Sequence, residues 1–554
     1  MTAAGTGVND DELIEPDHLS DLGNARRLVR QFGDEIKYVP VMKRWRVWTG
    51  THWALDETGQ VERFAKAVAA GLYVEAGYEG DDRRRKELAR HANASESVRG
   101  IRGMVTLAQS EPGISVPPHA FDTDPYLYNV FNGIVNLRTG ALEPHDRAKL
   151  ITKFVPIVYD PTARYPVFDA FLQRIFPGKL ALIRFVQKAV GYALTGDTRE
   201  QVIFLCWGGG ANGKSTLMLA LSRVLADYAA TLAAETLLAR KGDAGLVLND
   251  LATLQGARFV VAVESDMGRR LAEALVKQLT GGEAIKVKRL YADVFTITPT
   301  FKLWIGTNHR PQIRGMDHAI WRRIRLIPFT VTIPEHEQDH ALLEKLEAER
   351  AGILRWAVEG CLAWQQEGLG TPDDVLSATA QYRAEMDTLG EFLAERCILE
   401  PRETVTAAAL YNDYTDWAKK AGEQPITKKA LGLQLADRGF RNVPKKTART
   451  WQGLRLRTPA ELDGDASEPV THFDGKSGNF QLRARDEGSF QKTRHHASPV
   501  TDASPDPAPC SRHPVTPRPD VCDTCRPLVA WARLGELWGG AAPDSPSGAT
   551  RRRL

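Results

Sequence analysis

The 554-residue sequence predicts a multidomain chain of α/β and α+β modules around one P-loop nucleoside-triphosphatase core. Three observations carry that prediction. Between residues 201 and 333, short β-rich runs alternate with helical patterns, the arrangement that builds a largely parallel sheet. Within this stretch Gly208-Gly209-Gly210-Ala211-Asn212-Gly213-Lys214-Ser215, continuing into Thr216, fits G-x-x-x-x-G-K-[ST]. The composition, 43% hydrophobic and 25% charged, is that of a globular protein and excludes a collagenous, coiled-coil or wholly disordered chain.

Residues 1–110 read as an α+β and helical module: an amphipathic segment with Ala25, Leu28, Val29 and Phe32 on one face precedes strand-like YVPVMKRWRVWTGTHWAL, whose Thr49-Gly50 is a turn. Residues 111–198 read as a mainly helical domain, with strand and turn character first around Asn132-Gly133 and Thr139-Gly140. Phe168, Phe171, Leu172, Ile175 and Phe176 then space out one buried helical face. The core spans 199–335, a helical extension 336–398, and three short elements occupy 399–457. Residues 458–554 read as a mostly disordered tail, since twelve of the 31 prolines fall in the last 96 residues. The first thirty residues have no apolar core, and no run of 18 apolar residues occurs, so neither a signal peptide nor a membrane span is expected. Cys206, Cys361 and Cys397 each stand alone in apolar surroundings, as in a reducing compartment.

The glycine motif lies between an apolar strand, QVIFLCW, and a helix with Leu217, Leu221, Val224 and Leu225 on one face. Glycines let backbone N–H groups turn toward a phosphate, Lys214 brings charge to the outer phosphates, and the Ser215 hydroxyl suits Mg²⁺. A triphosphatase also needs a carboxylate at a neighbouring strand end. RFVVAVES ends in Glu264, with Asp266 two positions on, and Glu264 is the expected base and metal ligand. FKLWIGTN ends in Asn308, a candidate sensor of the γ-phosphate. Arg322 and Arg323 in AIWRRIRLIPF are candidates to reach a neighbouring subunit's phosphates. The competing readings are a solubilising acid, a turn asparagine and a basic surface turn.

In this order, these residues resemble a superfamily 3 helicase of the phage and plasmid primase-helicase type, the group that includes the satellite-phage primase C-terminal region and the poxvirus-type primase-helicase. NGIVNLRTGALEPH, TKFVPIVYDPTARYP and VGYALTGDTREQ are similar to the group's domain ahead of the ATPase, and ALYNDYTDWAKKAG with PITKKALGLQLADRGF to its C-terminal winged helix. The resemblance implies an AAA+-like core, a homohexameric ring with ATP between subunits, and single-stranded DNA in the channel. It implies a channel hairpin bearing Lys286, Lys288 and Arg289, and it ranks Arg323 ahead of Arg322 as the arginine acting in trans. It also places the protein in the cytoplasm of a bacterial host. Priming would need a further domain with paired acids, and the Asp122-x-Asp124 pair reads as structural. No primer synthesis by this chain alone is expected, so a separate primase or polymerase is an expected partner.

Between residues 426 and 457 nine Lys and Arg, among them Lys428, Lys429, Lys445 and Lys446, face one acid, Asp437. The local charge of +8 exceeds the +3 of the whole chain. KKALGLQLADRGF reads as a recognition helix and VPKKTARTWQGLRLR as a basic hairpin wing with Gly453 in its turn, a pair suited to duplex DNA or, alternatively, to a protein partner. In the tail, Cys510-x-x-His513 and Cys522-x-x-Cys525 have the spacing of a Cys₃His zinc set, or are incidental cysteines. The function expected from all this is an ATP-dependent DNA helicase in the replication of a phage or mobile element. A DNA-packaging or nucleoprotein-remodelling ATPase is the alternative, and a scaffold that merely binds ATP is a third.

Overall fold

The computed structural model describes residues 18–238, 244–263, 270–288, 294–313, 315, 318–444 and 449–463. The first module packs α1 (Asp21–Phe32), α2 (Gln60–Tyr78), α3 (Asp82–Ser95) and α4 (Val98–Ala108) around an antiparallel sheet of β1 (Ile36–Val39), β2 (Arg44–Trp48) and β3 (Trp53–Leu55). Serines start the helices where the pattern requires it: the Ser20 and Ser97 side chains accept from the Gly23 and Gly100 amides. Gly50, at φ +92°, turns the chain between β2 and β3 as the Thr49-Gly50 signal indicates.

A second antiparallel sheet follows, β4 (Leu127–Val130), β5 (Gly133–Asn136) and β6 (Ala141–Glu143), and then α5 (Pro166–Ile175) and α6 (Leu180–Leu194). Asp122 and Asp124 are tied down locally. The Asp122 carboxylate accepts from the Thr152 amide at 2.8 Å and hydroxyl at 2.5 Å, and Asp124 accepts two hydrogen bonds from Arg138 at 2.9 and 3.0 Å. Burial opposes ionisation of Asp124, but Arg138 and the Tyr126 amide hold its carboxyl below the usual range. One buried amide joins three stretches of chain: Asn129 Nδ2 donates to the carbonyls of Thr51 and Lys153, and its backbone N–H to the Tyr228 hydroxyl.

Next comes a five-stranded sheet, all of its pairs parallel. Its strands are β7 (Ile203–Trp207), β8 (Ala229–Ala233), β9 (Phe259–Val263), β12 (Lys302–Thr307) and β13 (Ile324–Pro328), in the order β13-β7-β12-β9-β8. Among them run α7 (Lys214–Leu225), α8 (Ala244–Ala252), α9 (Glu273–Thr280), the hairpin β10 (Ile285–Lys288) and β11 (Val294–Ile297), and the short α10 (His318–Trp321). The helices α11 (Leu342–Ala348), α12 (Arg350–Glu367) and α13 (Asp373–Glu385) then return across the sheet. Lys302 at the start of β12 is 2% exposed, and its ammonium donates to the carbonyls of Thr195, Asp197 and Thr300, anchoring the chain that leads into β7.

The cores do not follow the boundaries read at 198 and 335. One cluster runs from Tyr128 to Val375 and includes β4, α5, α6, one face of the parallel sheet, α7 and α12. The reason is that α6, apolar nearly all round, packs backbone to backbone on α12. A Cβ on Gly191 would stand 2.0 Å from the Cys361 nitrogen, and one on Gly360 would stand 2.1 Å from the Gln187 oxygen. The other face of the sheet forms a second core with α8, α9, the β10–β11 hairpin and Tyr382 of α13.

The last unit has its own core, from Leu389 to Leu454. It contains α14 (Thr388–Arg396), β14 (Cys397–Ile398), β15 (Thr404–Thr406), α15 (Ala407–Lys420), α16 (Lys428–Asp437), β16 (Arg441–Pro444), β17 (Arg449–Gln452), β18 (Arg455–Leu456) and α17 (Pro459–Asp463). The expected hairpin exists with a different turn. β16 pairs antiparallel with β17 from Arg441↔Gln452 to Pro444↔Arg449, the intervening 445–448 lie outside the described residues, and Gly453 at φ +102° follows β17 rather than joining the pair. Cys206, Cys361 and Cys397 are free and buried, and among the described residues no helix is long and apolar enough to cross a membrane.

Candidate functional site

The apolar strand β7 is an inner strand of the parallel sheet, between β13 and β12, and ends at Trp207, where the glycine loop begins. Glycine is required at both ends of the loop. A Cβ on Gly208 would meet the Phe329 carbonyl oxygen at 2.1 Å, and one on Gly213, at φ +81°, would meet Ile175 of α5 at 2.6 Å. Gly209 and Gly210 between them have open space where a Cβ would stand. The loop is fastened to the chain after β13: Ile333 N donates to Ala211 O at 2.7 Å, and Asn212 Nδ2 donates to Phe329 O at 3.3 Å.

Lys214 begins α7 and is only 6% exposed. Its ammonium donates to the carbonyls of Gly208 and Gly209 at 2.7 and 2.9 Å and to Asn212 Oδ1 at 2.9 Å, and burial pushes its pKa below the ordinary lysine value. Gly213 at the N-cap brings no side chain to the first-turn amides of α7. Helix N-terminal donors, of which the Lys214 amide makes only a long contact of 3.5 Å to Asn212 Oδ1, beside a buried ammonium suit an anion. Ser215 is exposed in the first turn and Thr216 half-buried behind it.

β12 lies directly beside β7, with Thr307 opposite Trp207, so Asn308 falls one residue beyond the strand end at the loop's edge of the sheet, exposed. The turn is held by the Thr307 hydroxyl, which accepts from His309 N at 3.1 Å and donates to His309 O. On the other side of β12, β9 ends at the exposed Val263; Glu264 and Asp266 lie outside the described residues.

Arg322 and Arg323 precede β13, which runs parallel to β7, and the Arg323 carbonyl accepts from Ile203 N at the start of β7. They therefore sit at the opposite end of the strands from the glycine loop, about 16 Å away for five residues of strand. The two side chains diverge. Arg323 is 8% exposed and donates to the Thr280 hydroxyl at 3.0 Å and the Ala319 carbonyl at 2.5 Å, whereas Arg322 is exposed and reaches Gln201. Within the chain, the inward member of the pair is the one the resemblance ranks first.

Strand alternation puts Lys286 and Lys288 on the outer face of the β10–β11 hairpin, opposite Thr296 and Val294, while Ile285 and Val287 are buried. Arg289 lies outside the described residues. In the last unit, Lys428 and Lys429 are exposed in the first turn of α16, and Arg441 and Arg449 are exposed on the hairpin. Other members of the basic stretch are spent internally: Arg438 pairs with Asp387, Arg455 with Glu461 and Arg457 with the Ala394 carbonyl. Lys445, Lys446 and the set Cys510, His513, Cys522 and Cys525 lie outside the described residues. Sequence reasoning did not single out the Asn212 side chain as the loop's internal tie, nor Arg310, whose guanidinium covers Trp207.

Residues 25–177 match the D5 N-terminal-like family, and residues 206–323 match a family of unknown function (DUF5906). A protein of Acanthamoeba polyphaga mimivirus, provisionally named a helicase, is 25% identical over 321 residues, 54% of this chain and 33% of that protein. One of Frog virus 3, named likewise, is 26% identical over 308 residues, 52% and 31% of the two chains. An African swine fever virus protein provisionally named a primase is 25% identical over 328 residues, 53% and 33%. The matched region spans about a third of the length of these relatives. Among solved structures, the apo NrS-1 C-terminal region aligns with a TM-score of 0.47 at 10% identity, over 80% of this chain and 100% of that one. Over these stretches the chain resembles the phage and viral primase-helicase type, with its D5 N-terminal-like match ahead of the parallel sheet.

Proposed function

We propose that the chain is an ATP-driven DNA helicase of viral or phage replication, acting as a homohexamer. The observation that carries the reading is the glycine loop: a buried Lys214 and uncapped α7 amides at the end of β7, with Asn308 at the end of the adjacent strand. The ammonium now shared among Gly208, Gly209 and Asn212 would turn to the β- and γ-phosphates, a better partner for a desolvated cation than neutral carbonyls. Asn308 would orient the γ-phosphate or the attacking water, and Glu264, with Asp266, would take its proton. Ser215 and Glu264 would hold Mg²⁺, which supplies charge neutralisation at the phosphate oxygens. Arg322 and Arg323 stand too far from their own loop to serve it, so a role there belongs to a neighbouring subunit's site, and the exposed Arg322 is the better placed of the two.

Lys286 and Lys288, with Arg289, would grip a single strand in the channel. Lys428 and Lys429, with Lys445 and Lys446, would hold duplex phosphates, the last unit acting as a winged helix. A primase or polymerase is a proposed partner in replication, and Cys510, His513, Cys522 and Cys525 are a proposed zinc set on their spacing. The test is ATP turnover and strand displacement on forked DNA. Wild type is expected to do both, and Lys214→Ala to lose about 100-fold or more of turnover while staying folded. Turnover without displacement would instead fit a packaging or remodelling ATPase. Full activity in Lys214→Ala would end the ATPase reading.

A further inference from the structure

We propose that Arg310 is a positioning residue for turnover: it fixes the turn that presents Asn308 at the glycine-loop end of the sheet. The inference rests on the ATPase reading above and adds to it a residue outside the motifs that suggested it. Arg310 lies three positions beyond the end of β12, in a turn where a charged side chain is ordinarily solvated. Instead its side chain is only 9% exposed. Its guanidinium lies 3.8 Å from the ring centroid of Trp207, the residue immediately before Gly208, and 5.7 Å from that of Tyr382 on α13. It is ion-paired to Glu385, also on α13, and its Nε is buried without a hydrogen-bond partner. A desolvated guanidinium with an unmet donor is costly, so the surrounding packing dictates this placement.

The turn around it is held at both ends. The Thr307 hydroxyl bonds the His309 backbone on one side, and the Pro311 carbonyl accepts from the Tyr382 hydroxyl on the other. Between these points Asn308 has no hydrogen bond of its own to another described residue, so its location is set by what holds the turn. Arg310 spans the distance from the strand that launches the glycine loop to the helix that closes the sheet edge. It therefore registers Asn308 against the loop. An amide that must meet a γ-phosphate or a water needs that register more in the transition state than in the bound ground state, so its loss should appear in kcat rather than KM.

The experiment measures DNA-stimulated ATP turnover by the full chain, per active site titrated by nucleotide binding, for wild type, Arg310→Ala, Arg310→Lys and Glu385→Gln. Arg310→Ala is expected to lower kcat about tenfold with KM for ATP within about twofold, Arg310→Lys to recover part of the loss through its cation over Trp207, and Glu385→Gln to lower kcat about threefold. A merely structural brace would lower the melting temperature and the active fraction but leave kcat per site intact, and that result overturns the proposal. A rise in KM at unchanged kcat overturns it equally. Should Arg310→Ala fail to fold, Glu385→Gln decides, because that helix-surface change leaves the fold and wild-type kcat in it sinks the idea. A wild type that turns over no ATP defeats the ATPase reading itself, a result distinct from active wild type with indifferent variants.

Discussion

At the glycine-loop sheet, Lys214, Arg310, Arg323 and Lys302 are all drawn inward, each with its charge assigned to named carbonyls, hydroxyls, rings or a carboxylate. In the last unit, Lys428, Lys429, Arg441 and Arg449 stand exposed, while Arg438 and Arg455 pair with acids of the same unit or its threshold. The first arrangement places single charges at fixed points, which is what bond-making chemistry needs. The second leaves several charges at the surface, and for the proposed contacts to a polyanion, whose phosphates can be met in many registers, number would matter more than position. A buried cation is thus informative one residue at a time, and an exposed basic stretch only after its internal pairs have been subtracted.

The contrast breaks most severely where the sheet's rigidity is attacked. Gly191→Ala drives a methyl into the Cys361 nitrogen across the α6–α12 contact, with no flexible side chain to yield. Overpacking of this kind costs about 1–3 kcal/mol. The measurement is thermal unfolding together with ATP turnover. Both should fall together, because that contact belongs to the core that also contains α7 and β7. An unchanged melting temperature would show that the two helices separate freely, and that the loop's support is local.

A smaller effect is expected at Asp387, the threshold of the last unit. Its carboxylate caps α14 by accepting from the Gly390 amide at 2.9 Å and pairs with Arg438 at the end of α16. Asp387→Ala removes a cap and a partly exposed ion pair, about 1–2 kcal/mol together. Limited proteolysis should show the last unit loosening while the ATP turnover proposed for the sheet is kept. If turnover falls as steeply as in Gly191→Ala, the two regions are not separable in the way their cores suggest.

How far the sequence reaches differs between these regions for physical reasons. Local patterns carry β7, the loop and α7, because the strand period, the glycines and the helix period are all contained within 25 residues. They also place Asn308 at a strand end. That β12 sits between β7 and β9 depends on pairing across about a hundred residues, and that α6 meets α12 depends on contacts such as Gln187 Nε2 to Trp356 O, 169 residues apart. No periodicity encodes either. Arg322 and Arg323 are identical letters until a turn sends one side chain inward. Gly453 is the wrong glycine for the hairpin because the pairing register, not the presence of a turn former, decides where a strand pair closes. Arg310 reads as a charged residue before a proline until Trp207 and Glu385 arrive from distant segments.

The mildest test concerns Lys428 and Lys429. Both lie in the first turn of α16, where the helix dipole disfavours cations, and the Thr427 side chain already caps the Ala430 amide. Two lysines there contribute nothing to the fold. Lys428→Ala with Lys429→Ala should therefore leave stability within about 0.5 kcal/mol of wild type. If the pair meets duplex phosphates, affinity falls without change in sequence preference, and the slope of log affinity against log salt decreases by about two. Equilibrium binding to duplex DNA at several salt concentrations reads this directly. An unchanged slope would move duplex binding off α16 and leave the exposed Arg441 and Arg449 on the hairpin to account for it, whereas a loss of stability would mean the two charges belong with the inward class after all.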